Sequence, residues 1–386
     1  MNDPSTQGGD HSRRGRSLAL LVVAILIVLA GVIAGAVIVP RLPPPEPTPS
    51  HSPLRRGAPG SRSTAAPARS LPFMRGVCWE AAGRAKPSDL EPLIRIHANW
   101  ISQTPFGWQR ELDSPLIVTS SGSGGFWGEG DHGLEATTRW AHEMGIHVLL
   151  KPHVWTRAGW SGTVAMRSEE DWATWFQSYR RFILHYADLA ERCGIEALAV
   201  GTELGGTIRR EREWRSVIAD VRNHFHGSLV YCANWAEDLH QVRFWDALDW
   251  IGVQAYYPLS HRREPPLSEL VRAWRQPFAD LNRLSQRWGK PVVLTEVGYH
   301  SLDTAASRPW EWELAGTLSL DTQARCYEAL FRVLPEQPGV RGVFIWKWHP
   351  DYSRAGGPAD TEYSPQRKPA EGVLARAFAE IERDAR

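Results

Sequence analysis

Residues 71–386 predict an α/β fold of the (β/α)8, or TIM barrel, class, on three observations. Short apolar runs alternate there with longer amphipathic ones, and eight short runs are found. The first of them, Arg75-Gly76-Val77-Cys78-Trp79-Glu80, carries no glycine-rich phosphate loop, which a doubly wound open sheet would normally place there. Polar and aromatic residues follow directly on the runs, at the carboxyl ends of the strands, where a barrel keeps its chemistry.

Ahead of the barrel the chain divides into three. Residues 1–17 form a short basic tail containing Arg13, Arg14 and Arg16. Residues 18–39 are apolar or glycine throughout, which suits a membrane-spanning helix of about 20 residues. The arginines before it place the tail in the cytoplasm and everything after it outside. A cleaved export signal is the alternative, with Ala34-Gly35-Ala36 as its small-residue site, although the apolar core of such a signal is usually only about 7–15 residues. Both readings export the barrel. Residues 40–70 are rich in Pro, Ser, Arg and Ala, a composition that cannot bury enough apolar surface to fold and acts as a spacer.

Within the barrel, strands are expected near Met74–Cys78, Ala98–Ser102, His147–Lys151, Ala197–Thr202, Ser228–Ala233, Trp250–Ala255, Val292–Thr295 and Gly342–Trp346. The clearest helix runs from Glu169 to Arg192. Trp172, Trp175, Phe176, Tyr179, Phe182, Ile183 and Tyr186 recur there at helical spacing, and Ser168 with Asp171 suits an N-terminal cap. That stripe reads as packing against the barrel. Helices from Asp321 to Leu334 and from Gly372 to Arg383 follow on the same logic. Cys78, Cys193, Cys232 and Cys326 form no CxxC pair, which rules out a zinc ribbon or a redox motif; buried free thiols are expected.

A formal net charge of +1 argues against a nucleic-acid groove, which needs a concentrated basic face. Nineteen tryptophans supply both core volume and flat surfaces on which sugar rings stack. Two strands end alike. Ala197-Leu198-Ala199-Val200-Gly201-Thr202-Glu203-Leu204 closes on Thr-Glu before a glycine pair, and Leu294-Thr295-Glu296-Val297-Gly298-Tyr299 does so before a glycine. One such glutamate alone reads as a helix cap or an arginine partner. Two, delivered by parallel strands to one face of a sheet, are the raw material of glycoside hydrolysis.

Placed on strands four and seven, Glu203 and Glu296 make the barrel resemble the large clan of retaining glycosidases. Within that clan, Val200-Gly201-Thr202-Glu203-Leu204 and Leu294-Thr295-Glu296-Val297-Gly298-Tyr299 look most like the mannanases of glycoside hydrolase family 113. The resemblance covers roughly residues 70–384. It implies that Glu203 is the acid/base, that Glu296 is the nucleophile, and that the substrate is a β-linked polysaccharide of mannan type. It also implies a strand-eight tryptophan as a floor under the reacting sugar. Trp346 is the choice for that role, and Trp348, two residues on, shares its face by strand alternation. Many clan members carry Asn before the acid/base, where it binds the sugar 2-hydroxyl; Thr202 stands there in this chain, and Asn234 at the end of strand five offers part of that contact.

Tyr256, ending strand six, is placed to donate a hydrogen bond to Glu296, or else to sit in the core. Trp79 follows strand one, and Lys151 and His153 follow strand three, all as candidate sugar contacts. His349 and Asp351 lack any metal-ligand spacing, so neither a metal nor a cofactor is expected. The stretch from Pro105 to Gly130, with Ser120 to Gly125 followed by Phe126 and Trp127, reads as a flexible loop tipped with aromatics, either closing over substrate or lying on the surface. A non-catalytic carbohydrate-binding barrel and a transglycosylase of surface glycan are the competing functions. Survival of both glutamates favours chemistry, because a binding protein has no need of the pair.

Overall fold

A computed structural model describes residues 72–80, 83–119 and 126–384. The expected tail, membrane helix and spacer (1–17, 18–39 and 40–70) lie outside these residues. Among the described residues no helix is long and apolar enough to cross a membrane.

All eight expected strands form: β1 Met74–Trp79, β2 Trp100–Gln103, β3 His147–Leu150, β4 Ala197–Thr202, β5 Ser228–Asn234, β6 Trp250–Gln254, β7 Val292–Val297 and β8 Val340–Trp348. They close into a barrel in chain order, each parallel to the next, with β8 returning to β1. Alternation along the strands separates two apolar layers. One set, including Met74, Cys78, Trp100, Leu149, Val230 and Phe344, fills the interior. The other packs outward beneath helices α1 Glu91–Arg95, α2 Asp131–Glu143, α3 Glu169–Cys193, α4 Glu211–His224, α5 Leu267–Trp288, α6 Leu320–Val333 and α7 Pro369–Asp384. On α3 the Ser168 hydroxyl accepts the Asp171 backbone N–H at 3.1 Å, and Gly194 ends the helix at φ 66°, in the left-handed region that favours glycine. Of the cysteines, Cys78, Cys232 and Cys326 are buried free thiols, whereas Cys193, the last residue of α3, is half-exposed.

The count of eight βα units needs one correction. Between β5 and β6 stands only a short 3-10 turn, Trp245–Ala247. Phe244, Trp245 and Leu248 are fully buried there, and Phe244 stacks on Trp214 of α4 with ring centroids 5.6 Å apart. Three large side chains thus cover the barrel where a helix stripe otherwise would.

A second departure lies partly inside the expected loop 105–130. Phe106–Gln109 pairs antiparallel with Ile117–Thr119 and parallel with His153–Thr156, making a three-stranded accessory sheet. Its strands are three or four residues long, too short for alternation to stand out in the sequence. Its inner face is buried against α3, where Trp175 Nε1 donates to Gln109 Oε1 at 2.9 Å.

Candidate active site

The strands that present the two glutamates are both irregular near their carboxyl ends. On β4 the register slips between Ala199 and Gly201, and on β7 between Leu294 and Glu296, where Glu296 rather than Thr295 comes opposite Gln254. An extra residue in a strand re-aims the side chains beyond it. Glu203 then sits just past β4 at φ 48°, a sparsely populated conformation for a residue with a Cβ. Its neighbourhood holds it there: its N–H donates to the Cys232 carbonyl at 2.9 Å, and the Leu204 N–H donates to the Tyr231 hydroxyl at 3.0 Å. Tyr231 in turn donates to buried Asp238 at 2.8 Å.

Both glutamates line one cleft of about 970 Å³ at the barrel mouth. Glu296 is almost wholly buried. The ammonium of Lys151, a residue with no exposed surface, donates to Glu296 Oε1, and the Tyr256 hydroxyl donates to Oε2 at 2.7 Å. Burial by itself would raise the Glu296 carboxyl. The Lys151 charge and the hydrogen bonds from Lys151, Tyr256 and Gln254 outweigh it, so its pKa falls below the ordinary 4.5. Glu203 goes the other way. Burial first, and then the charge on Glu296, raise its pKa above 4.5, against hydrogen bonds that favour the ionised form. Those bonds are Asn234 Nδ2 to Oε1 at 2.8 Å and Trp160 Nε1 to Oε2 at 3.2 Å. Two carboxyls in one cleft are therefore displaced in opposite directions, one toward the acid form and one toward the anion. Such a split assigns acid and base work by environment.

His153 lies 4.0 Å from Glu203 through Nε2. Burial and then the Lys151 charge press its pKa down to about 4, so the ring is neutral at neutral pH. With its Nδ1 proton donated to the Val154 carbonyl at 3.1 Å, Nε2 is left as an acceptor toward the cleft. Glu129, which also lines the cleft, is raised to about 7 by burial and then by the charge on Glu80, which itself pairs with Lys347.

Of the residues expected to contact a sugar, Trp79, His153, Asn234, Tyr256 and Trp346 line the cleft together with the two glutamates. Asn234 is committed to Glu203, and its own carbonyl oxygen accepts from the Ala236 N–H at 2.9 Å. Trp79, although it lines the cleft, is largely buried in the outer layer. Trp346 is half-buried over the interior cluster, and Gly298 lets the neighbouring chain pass so close that a Cβ there would lie 3.0 Å from Trp346 Cβ.

Two expectations are corrected. Lys151 does not reach the open cleft: it is fully buried and spent on Glu296. Trp348 does not share the face of Trp346. The register between β1 and β8 slips, Val77 pairing with Ile345 but Trp79 with Trp348, so counting by twos fails across it. Trp348 is fully buried in the outer layer, its ring 6.3 Å from that of Tyr352.

Sequence reasoning missed Trp160, Trp235, Trp310 and Trp312, which wall the cleft. They come from loops, where no periodicity marks them. Trp312 meets Trp346 edge-on at 6.1 Å, and Trp310 lies 5.8 Å from Trp235. Among the described residues no group of three metal-ligating side chains occurs; His349 lies 3.7 Å from Glu80, and Asp351 accepts from Ser353.

The sequence profile of Glycoside Hydrolase Family 113 matches residues 78–368. Among solved structures, a β-mannanase of that family from Alicyclobacillus acidocaldarius, in complex with ManMIm, is 31% identical with a TM-score of 0.72, over 81% of this chain and 99% of that one. Two structures of β-1,4-mannanases of the same family are 26% and 25% identical, with TM-scores of 0.71 and 0.69, each over 80% of this chain and 99% of its own. No curated protein sequence matches the chain.

Proposed function

The chain belongs to glycoside hydrolase family 113, and from that premise we propose that it is a retaining, endo-β-mannanase-like enzyme that uses Glu296 as nucleophile and Glu203 as acid/base. The observation that carries this reading is the opposite displacement of the two carboxyl groups within one tryptophan-walled cleft. The mannan substrate is supported by the β-mannanases to which the chain is similar.

In the first step ionised Glu296 attacks the anomeric carbon while Glu203 gives its proton to the departing glycosidic oxygen. A covalent glycosyl ester on Glu296 results. Formation of that ester removes the negative charge that helped hold the proton on Glu203, so Glu203, now a carboxylate, is a competent base toward water. Water attacks the same carbon, its proton passes to Glu203, and Glu296 leaves as the anion. Lys151 and Tyr256, which hold the Glu296 carboxylate, favour that departure. Trp346 forms the floor beneath the reacting sugar. The test is turnover by the full chain on a panel of soluble β-glycans. Release of reducing ends from β-1,4-mannan ahead of glucan, xylan and galactan is expected, and preference for any of the other three overturns the substrate.

Replacing Trp346 by Ala is expected to lower kcat/KM at least tenfold. It should cost stability less than the about 3–5 kcal/mol of a wholly buried tryptophan, because the ring is half-exposed at the barrel mouth. Thermal melts beside kinetics check this, and a collapse of the melting transition would make Trp346 a core residue instead.

The barrel is further proposed to work outside the cytoplasm, tethered by a membrane helix at 18–39 through a spacer at 40–70 and leaving a basic tail, 1–17, inside. The apolar run and the arginines ahead of it support this. Membrane fractionation is expected to pellet the barrel with the lipid. A soluble barrel whose mature N-terminus follows Ala36 would replace the tether by a cleaved export signal.

A further inference from the structure

The accessory sheet begins in the cleft and runs out of it. Two of its strands, Phe106–Gln109 and His153–Thr156, lie parallel and in register, with Phe106 opposite His153 and Trp108 opposite Trp155. Alternation puts these four side chains on one face, away from buried Gly107, Gln109, Val154 and Thr156. The inner pair belongs to the cleft: Phe106 and His153 line it, their rings 5.8 Å apart. Two residues along each strand, about 7 Å further out at the usual strand rise, comes the pair Trp108 and Trp155, with ring centroids 4.8 Å apart. Trp155 still lines the cleft; Trp108 lies beyond it.

That outer pair is exposed. Trp108 is 39% accessible and Trp155 44%, and Val118, opposite Trp108 on the third strand, is 64% accessible. Large apolar side chains left this open in a contiguous row mark an interaction surface more often than chance. Tryptophan is suited to one kind of occupant in particular, since an indole presents a flat apolar face with a single polar edge. The row is continuous with a cleft whose own walls are tryptophan, and it starts at the histidine that faces Glu203.

We propose that the outer face of the accessory sheet is a second glycan-binding stretch, in which Trp108 and Trp155 carry the part of a polysaccharide chain that extends beyond the cleft. The assignment rests on the mannanase reading given above. It predicts that the enzyme distinguishes long from short substrates through a residue that touches neither glutamate. Short substrates fill the cleft alone, so Trp108 contributes nothing to them. Long ones gain the stacking of one ring, a contribution that corresponds to roughly three- to tenfold in affinity.

The experiment compares wild type with Trp108→Ala and Trp108→Phe, as full chains in detergent, on an aryl β-mannobioside and on soluble β-1,4-mannan. Binding of a long manno-oligosaccharide is measured in each variant with Glu203→Gln added to prevent turnover. The inference expects kcat/KM on the aryl substrate to be unchanged by Trp108→Ala. KM on the polymer should rise and oligosaccharide affinity fall roughly three- to tenfold, and Trp108→Phe should recover much of both. An unchanged polymer KM and affinity would overturn the proposal, as would an equal fall on both substrates, which is the mark of a packing role. If wild type cleaves and binds no mannan of any length, the substrate reading fails first and takes the glycan assigned to this face with it.

Discussion

Glu296→Ala is expected to lower turnover by on the order of 10⁴-fold or more, and added azide is expected to restore part of it. The variant lacks the nucleophile but keeps Glu203 and the cleft, so a small anion can enter on the vacated side and attack the anomeric carbon directly. The product is then a glycosyl azide of inverted configuration. Glu203→Ala behaves differently. Without a proton donor, natural substrates with poor leaving groups stall, while aryl glycosides with good leaving groups still form the ester on Glu296. Azide opens that ester without needing a base, and after two displacements its product keeps the starting configuration. Stereochemistry by NMR thus reads each role independently of the size of the rate loss. Inverted azide from Glu203→Ala together with retained azide from Glu296→Ala would exchange the assignments, and full activity in both variants would end the double-displacement reading altogether.

Both glutamates were visible in the sequence because each follows a buried apolar run and precedes glycine, a local pattern that survives without any knowledge of the fold. The strands were visible for the same reason. What stayed hidden depends on contacts between distant parts of the chain. Lys151 looked like a polar residue at a strand end, and nothing local says that its partner is Glu296 on the other side of the barrel. Trp348 was placed by counting alternate residues, which a register slip within β8 defeats. Trp160 stands in a loop, and its importance lies in one donated bond to Glu203 at 3.2 Å. Two strands of the accessory sheet fall in the stretch 105–130 that reads as loop, because they are short and are stabilised by the aromatic face of α3 rather than by any periodicity of their own. The tryptophan excess pointed to sugar stacking as a whole without saying which residues perform it.

Lys151→Met should cost about 3–5 kcal/mol of stability, the usual result of leaving one member of a buried ion pair without its partner, and should reverse the pH dependence near the Glu296 titration. In the wild type Glu296 has a folded pKa below its ordinary 4.5, so the unfolded chain binds more protons as pH falls through that window. The stabilisation from this group is present above about 4.5 and is lost as pH drops through the lower, folded value. Removing the lysine charge leaves burial as the main influence, opposed only by the hydrogen bonds from Tyr256 and Gln254, and burial pushes the Glu296 carboxyl up. Its folded pKa then exceeds the unfolded one, so the folded variant takes up the proton first. Stability should now increase as pH falls toward 4.5, opposite in sign to the wild type. Activity should follow the same carboxyl: the acid limb of kcat/KM, which requires ionised Glu296, should move to higher pH. Lys151→Arg cannot stand in as a neutral control, because a larger cation must enter a site with no exposed surface. Chemical denaturation at several pH values, beside the kinetic profile, measures both effects. An acid limb that stayed in place in Lys151→Met would show that Tyr256 and Gln254 alone keep Glu296 ionised and that the lysine charge contributes only to the fold.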